Sequence, residues 1–156
     1  MIIYSIFAGR REYLEILFVY LNEYLRQNII DEVHLWDFCR NAEDSKYLQT
    51  LKTNKIRVFN PNEYVERYKH YLHLKLWEKW APYYAYYKHN LKPSDILVKS
   101  DDDVLYISNL DKLFQYMKQN NQYGLYFPNI INNDVAFKYQ CETNIIPHRM
   151  KHLLQL

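Results

Sequence analysis

Three short apolar runs, separated by stretches whose apolar residues recur at helical spacing, constrain this chain more than any other feature. Residues 2–8 are rich in Ile, Tyr and Phe and stop at Gly9, which predicts a buried strand closed by a glycine turn. After Arg10 and Arg11, the spacing of Leu14, Leu17, Phe18, Leu21 and Leu25 predicts a helix to about Gln27. Glu32–Phe38 reads as a second strand, Ala42–Leu51 as a short helix, and Ile56–Phe59 as a third strand stopped by Asn60-Pro61-Asn62. Strand, helix, strand, helix, strand is the pattern of a mostly parallel α/β sheet flanked by helices.

Residues 63–91 are crowded with aromatics and suit one long helix or two, with a break or kink near Pro82. A Lys92-Pro93-Ser94-Asp95 turn then leads into a fourth strand, Ile96–Ser100. Ser108-Asn109 can cap a helix from Leu110 to Gln119, with Leu110, Leu113, Phe114 and Met117 on one face. Tyr123–Phe127 reads as another strand, Pro128–Asn133 as a polar loop, and Arg149–Leu154 as a terminal helix. With no internal repeat, low-complexity tract or linker, residues 1–156 read as one domain, long enough to bury roughly 70% of its unfolded surface.

The net charge of +2 gives no electrostatic case for nucleic acid. The N-terminus has no basic region before its short apolar run, and no stretch approaches the ~20 apolar residues of a membrane helix. The expectation is a soluble, cytoplasmic protein without membrane insertion, its Cys39 and Cys141 being reduced thiols. The 17 tyrosines carry little weight, because an AT-rich coding sequence supplies Tyr, Asn, Lys and Ile as readily as a sugar-stacking surface would need them.

The chemistry concentrates at Asp101-Asp102-Asp103, between the apolar run 96–100 and a second one, Val104-Leu105-Tyr106-Ile107. Three adjacent carboxylates at the end of a buried strand repel one another, and a divalent cation with oxygen ligands relieves that repulsion. The plainer alternative is an acidic turn after a strand. Other metal and nucleotide chemistries fail on particular residues. Two glycines cannot build a Rossmann or P-loop fingerprint, and Tyr106 stands where a calcium loop requires Gly. Leu105 breaks a phosphatase-type Asp-x-Asp-x-Thr/Val motif. His148 and His152 have a zinc-compatible i, i+4 spacing, without the Glu of His-Glu-x-x-His or a cysteine pair to support it. No Gly-x-Ser-x-Gly elbow occurs, and neither cysteine has a nucleophile's surroundings.

Asp101-Asp102-Asp103, set behind a βαβαβ half whose first strand ends in Ala8-Gly9-Arg10, resembles the Asp-x-Asp motif of GT-A fold glycosyltransferases. The resemblance is to the small glycosyltransferases encoded by large DNA viruses. It is carried further by Ile3–Arg10, Glu32–Phe38 and Phe127–Asp134, and it covers most of the chain. It implies a GT-A-like (Rossmann-like) fold and a hexosyl- or deoxyhexosyltransferase, in the host cytoplasm if the chain is viral. The enzyme would move a sugar from a UDP- or GDP-linked nucleotide-diphospho-sugar to a glycan or glycoprotein acceptor.

On that resemblance, Asp101 and Asp103 approach ribose and metal, and Asp103 is the direct ligand of Mn²⁺ or Mg²⁺. Asp102 belongs to the same nucleotide-binding turn but points away and serves structure. Ala8, Gly9 and Arg10 pack on the nucleotide, with Arg10 or Arg11 near phosphate, Asp37 on base or ribose, and Lys75 or Lys99 reaching phosphate. His148 or His152 completes the metal shell, and Asp134 (or Glu142) is the base that deprotonates the acceptor. The chain departs from the family by stopping at Leu156, and the expectation is a minimal donor-binding core, or an acceptor half that comes from another chain or is missing. Two rival readings of the same carboxylates are a non-catalytic nucleotide-sugar or glycan-binding remnant and a metal-dependent phosphoesterase.

Overall fold

A computed structural model describes residues 1–68, 80–104 and 110–120. The chain divides into two compact units, Met1–Phe114 and Gln115–Leu156. The expected strand at 123–127, the loop after it and the terminal helix lie outside the described residues, as do Leu105–Ile107.

Among the described residues, four strands form one sheet: β1 (Ile2–Ala8), β2 (Glu32–Asp37), β3 (Ile56–Phe59) and β4 (Ile96–Asp101). Every pairing is parallel and the order is β3-β2-β1-β4. Helices α1 (Arg11–Arg26) and α2 (Ala42–Thr50) connect the first three strands. Helices α3 (Pro61–Tyr68) and α4 (Trp80–Asn90) lie between β3 and β4, and α5 (Leu110–Gln119) follows β4. The chain therefore steps outward from β1 to β3 and then returns to the far side of β1. Because parallel crossovers share one hand, reversing the direction of travel puts the connection through α3 and α4 on the opposite face of the sheet.

Coverage of both faces explains why β1 is apolar at nearly every position and does not alternate. Its odd residues Ile3 and Phe7 join Trp36, Phe59, Tyr83, Tyr86 and Tyr87 in an aromatic core. Tyr4, Ile6 and Ala8 alternate to the other side and are fully buried. Trp36 stacks on Phe59 with centroids 4.8 Å apart and meets Tyr83 edge-on at 5.4 Å. Offset and edge-to-face pairs of this kind contribute about 0.5–1.5 kcal/mol each beyond area burial. Tyrosines 4, 83, 86 and 87 are thus core residues and do not form a sugar-stacking surface.

A buried polar network runs through this core. The Tyr87 hydroxyl lies 2.9 Å from Ser5 Oγ and 2.8 Å from His34 Nδ1, and it accepts the Trp36 indole N–H at 3.2 Å. His34 Nε2 is 2.8 Å from Glu32, at the start of the same strand.

Two expected boundaries move. Asn60-Pro61-Asn62 ends β3 but also begins α3. Asn60 Oδ1 accepts from Asn62 N at 3.1 Å, and Pro61 occupies the first helical position, where its missing N–H is not needed. Pro82 falls inside α4, near its start, and α4 continues through it. Among the described residues, no helix is long and apolar enough to cross a membrane.

Candidate functional site

The C-terminal ends of β1, β2 and β4 lie level with one another. Ala8 pairs with Asp37, and Phe7 pairs with both Trp36 and Asp101. β1 leads onward to β2 on one side, while β4 arrives on its other side, so the strand order reverses at β1. The crevice outside the carboxyl ends at such a switch point is where open parallel sheets bind ligands. A cleft of about 460 Å³ opens there, lined by Phe7, Gly9, Arg10, Phe38, Arg40, Asp101, Asp102 and Asp103.

The acidic triplet is a turn at the end of a buried strand. Asp101 carbonyl accepts from Val104 N at 3.4 Å and from the Ser100 hydroxyl at 3.0 Å. Ser100 is buried, and its Oγ also takes the Tyr4 hydroxyl at 3.4 Å. The three carboxylates then separate by environment. The Asp102 side chain is only 4% exposed, against 54% for Asp101 and 47% for Asp103.

Asp102 turns inward onto the loop after β1. Its Oδ2 accepts the backbone N–H of Gly9 and of Arg10, both at 2.8 Å, and its Oδ1 takes Arg10 Nε at 3.2 Å and Arg10 Nη2. The same Nη2 reaches Asp103 Oδ2 at 2.8 Å. The guanidinium also lies 4.1 Å over the Tyr13 ring. Hydrogen bonds to Asp102 first, and to Asp103 second, raise the Arg10 pKa above its ordinary value, so the guanidinium is a fixed positive charge.

Other expected residues take different places. Gly9 lines the cleft but not because it needs unusual backbone geometry, since its φ is not positive. Ala8 is buried and contributes its carbonyl, which accepts Phe38 N at 2.8 Å. Asp37 does not line the cleft. Its Oδ1 accepts Cys39 N at 3.1 Å and its Oδ2 takes the Ser45 hydroxyl. Arg11 turns to Glu15, with Nε 2.6 Å from Oε1, and lies over Tyr47. Lys99 stands over Phe7, 4.7 Å from its centroid, and 3.5 Å from Asp101. Lys75, Asp134, Glu142, His148 and His152 lie outside the described residues.

Cys39 is a free thiol, pushed up to about 12 chiefly by burial and then by Asp37. It is neither a thiolate ligand nor a nucleophile at neutral pH. Among the described residues, no group of three or more His, Cys, Asp or Glu side chains converges on one point. What faces the cleft for a hard cation is the exposed pair Asp101 and Asp103, each with one oxygen already on a cation, Lys99 and Arg10 respectively. That fits Mg²⁺ or Mn²⁺, which bind through one or two carboxylates and draw their other ligands from phosphate and water.

Sequence reasoning missed Arg40, Phe38 and Phe7 as lining residues. Phe7 and Phe38 pack together with centroids 4.9 Å apart and form an aromatic floor. Their available signal was position, since Phe7 is one residue before the end of β1 and Phe38 one residue beyond the end of β2. Comparison with known families, curated proteins and solved structures finds no match for this chain.

Proposed function

We propose that this chain is a metal-dependent glycosyltransferase of GT-A-like fold, taking a nucleotide-diphospho-sugar at the cleft between the β1 and β4 turns. The observation that carries the reading is the joining of these two turns, through Asp102, at the point where a parallel sheet reverses its strand order. A ligand there meets an aromatic floor, two exposed carboxylates and two arginines. Flat base or sugar surfaces suit the first, and a divalent cation with phosphate oxygens suits the charges.

Asp101 and Asp103 would hold Mn²⁺ or Mg²⁺, which when bound neutralises charge developing on a diphosphate leaving group. Asp102 keeps the β1 loop against the acidic turn and Arg10 keeps Asp103 oriented, so the chain's own residues fix the cleft before any ligand arrives. Asp134 as acceptor base and His148 as a further metal ligand remain part of the proposal through the family resemblance alone.

One observation favours the rival, a domain that binds nucleotide-sugar or glycan without turnover. Among the described residues, the cleft carboxylates are Asp101, Asp102 and Asp103, and the last two are already bonded to Arg10. Among the described residues, no separate acceptor base stands beside them. The deciding experiment is donor hydrolysis with Mn²⁺ across a panel of UDP- and GDP-sugars. The proposal expects slow release of one sugar, abolished in Asp103→Ala. Donors that bind but are never cleaved or transferred would leave the binding domain as the correct reading.

A further inference from the structure

We propose that Arg40 is the phosphate-recognising residue of the cleft, contacting the diphosphate of a ligand that enters together with its divalent cation. This inference rests on the donor-site reading above.

The cleft is electrically divided. Asp101, Asp102 and Asp103 come from the turn after β4, and Arg40 from the loop after β2, so the two charges flank β1 from opposite sides. Two arginines against three aspartates leave the lining one charge negative. A bare diphosphate is disfavoured there, whereas one carrying a divalent cation meets carboxylates at its metal and a guanidinium at its remaining oxygens.

Among the described residues, one of the nearby cations is uncommitted. Arg10 is bound to Asp102 and Asp103 and covers Tyr13. Lys99 lies over Phe7 and against Asp101. Arg40 lines the cleft, is exposed, and has no hydrogen bond, ion pair or ring contact among the described residues.

Its backbone, by contrast, is anchored on both sides. Phe38 N donates to Ala8 carbonyl at 2.8 Å, Cys39 N to Asp37 at 3.1 Å, and Asn41 caps α2 by accepting Asp44 N at 2.8 Å. The loop is therefore ordered before binding, and only the arginine side chain has to be fixed when the ligand arrives. Asn41 caps α2 at Asp44 N, and Glu43 and Asp44 put negative charge in its first turn, which disfavours that helix end as the anion site.

The test is calorimetric titration of UDP and of GDP, each with Mn²⁺, into wild type, Arg40→Ala and Arg40→Lys. Melting temperature serves as the control, because a residue without contacts is not expected to change it. The expected result is an unchanged melting temperature and affinity lower by about tenfold or more in Arg40→Ala, partly restored in Arg40→Lys. Wild type that binds a diphosphate, with Arg40→Ala matching it within about twofold, would overturn the inference and leave the donor site standing. Wild type that binds neither diphosphate would overturn both.

Discussion

Asp102 Oδ2 accepts two consecutive backbone N–H groups, those of Gly9 and Arg10, each at 2.8 Å. One carboxylate oxygen thus closes the loop after the first strand against the turn after the fourth, across more than ninety residues of sequence. The inward turn of this central residue leaves its two acidic neighbours facing the cleft.

Removing that carboxylate should cost stability as well as shape. Asp102→Ala strands two backbone donors and the Arg10 side chain, and should lose about 1–3 kcal/mol in urea unfolding. Arg10→Ala should cost less, because Gly9 N and Arg10 N still reach Asp102 and the Arg10 side chain is 46% exposed. The reverse order would show that the guanidinium, and not the backbone pair, holds the two turns together.

Gly9 separates binding from folding. A Cβ built there would stand 3.5 Å from Asp102 Oδ2 and 3.7 Å from Phe38 carbonyl, both ordinary contacts, at a position without positive φ. Gly9→Ala should therefore leave stability unchanged or raise it by about 0.4–1 kcal/mol. Its methyl adds bulk to a cleft-lining position, so Mn²⁺–nucleotide affinity should fall by calorimetry. A variant that binds as well as wild type would remove Gly9 from the ligand contact.

His34 should give stability a pH dependence. Burial lowers its pKa, opposed by the Glu32 hydrogen bond and assisted by the Arg57 charge. The unfolded chain, with a histidine near about 6.5, then binds the proton more readily than the fold does. The contribution is complete above that value and is lost as pH falls toward the lower folded pKa. Thermal melts of wild type should drop between about pH 7.5 and 5, and His34→Gln should flatten that slope while lowering the melting temperature at the upper end. Parallel slopes for the two proteins would assign the dependence to other groups.

The fold was largely legible because buried parallel strands leave short, unmixed apolar runs, and α1 shows its core face at Leu14, Leu17, Phe18, Leu21 and Leu25. All four described strands lie within a residue of their expected limits. Asn60-Pro61-Asn62 stops β3 as expected, but the helix after it starts at Pro61 and not at 63. A residue that stops a strand can also open a helix behind an Asn60 cap. At the site, a structural place for Asp102 came only with the family resemblance. Its partners were not legible, because hydrogen bonds between residues 9 and 102 leave no local trace. Asp37 and Arg40 show the same limit. Strand-end position marked Asp37 for the ligand, yet its oxygens hold its own loop, while Arg40, three residues on, lines the cleft.

The most direct test is titration of UDP and GDP into wild type and Asp103→Asn, with and without Mn²⁺, read by calorimetry. Saturable binding of one nucleotide that requires Mn²⁺, and is weakened by about tenfold or more in Asp103→Asn, is the predicted result. Failure of both nucleotides to bind with Mn²⁺ present, or binding indifferent to metal and to Asp103, would contradict the account.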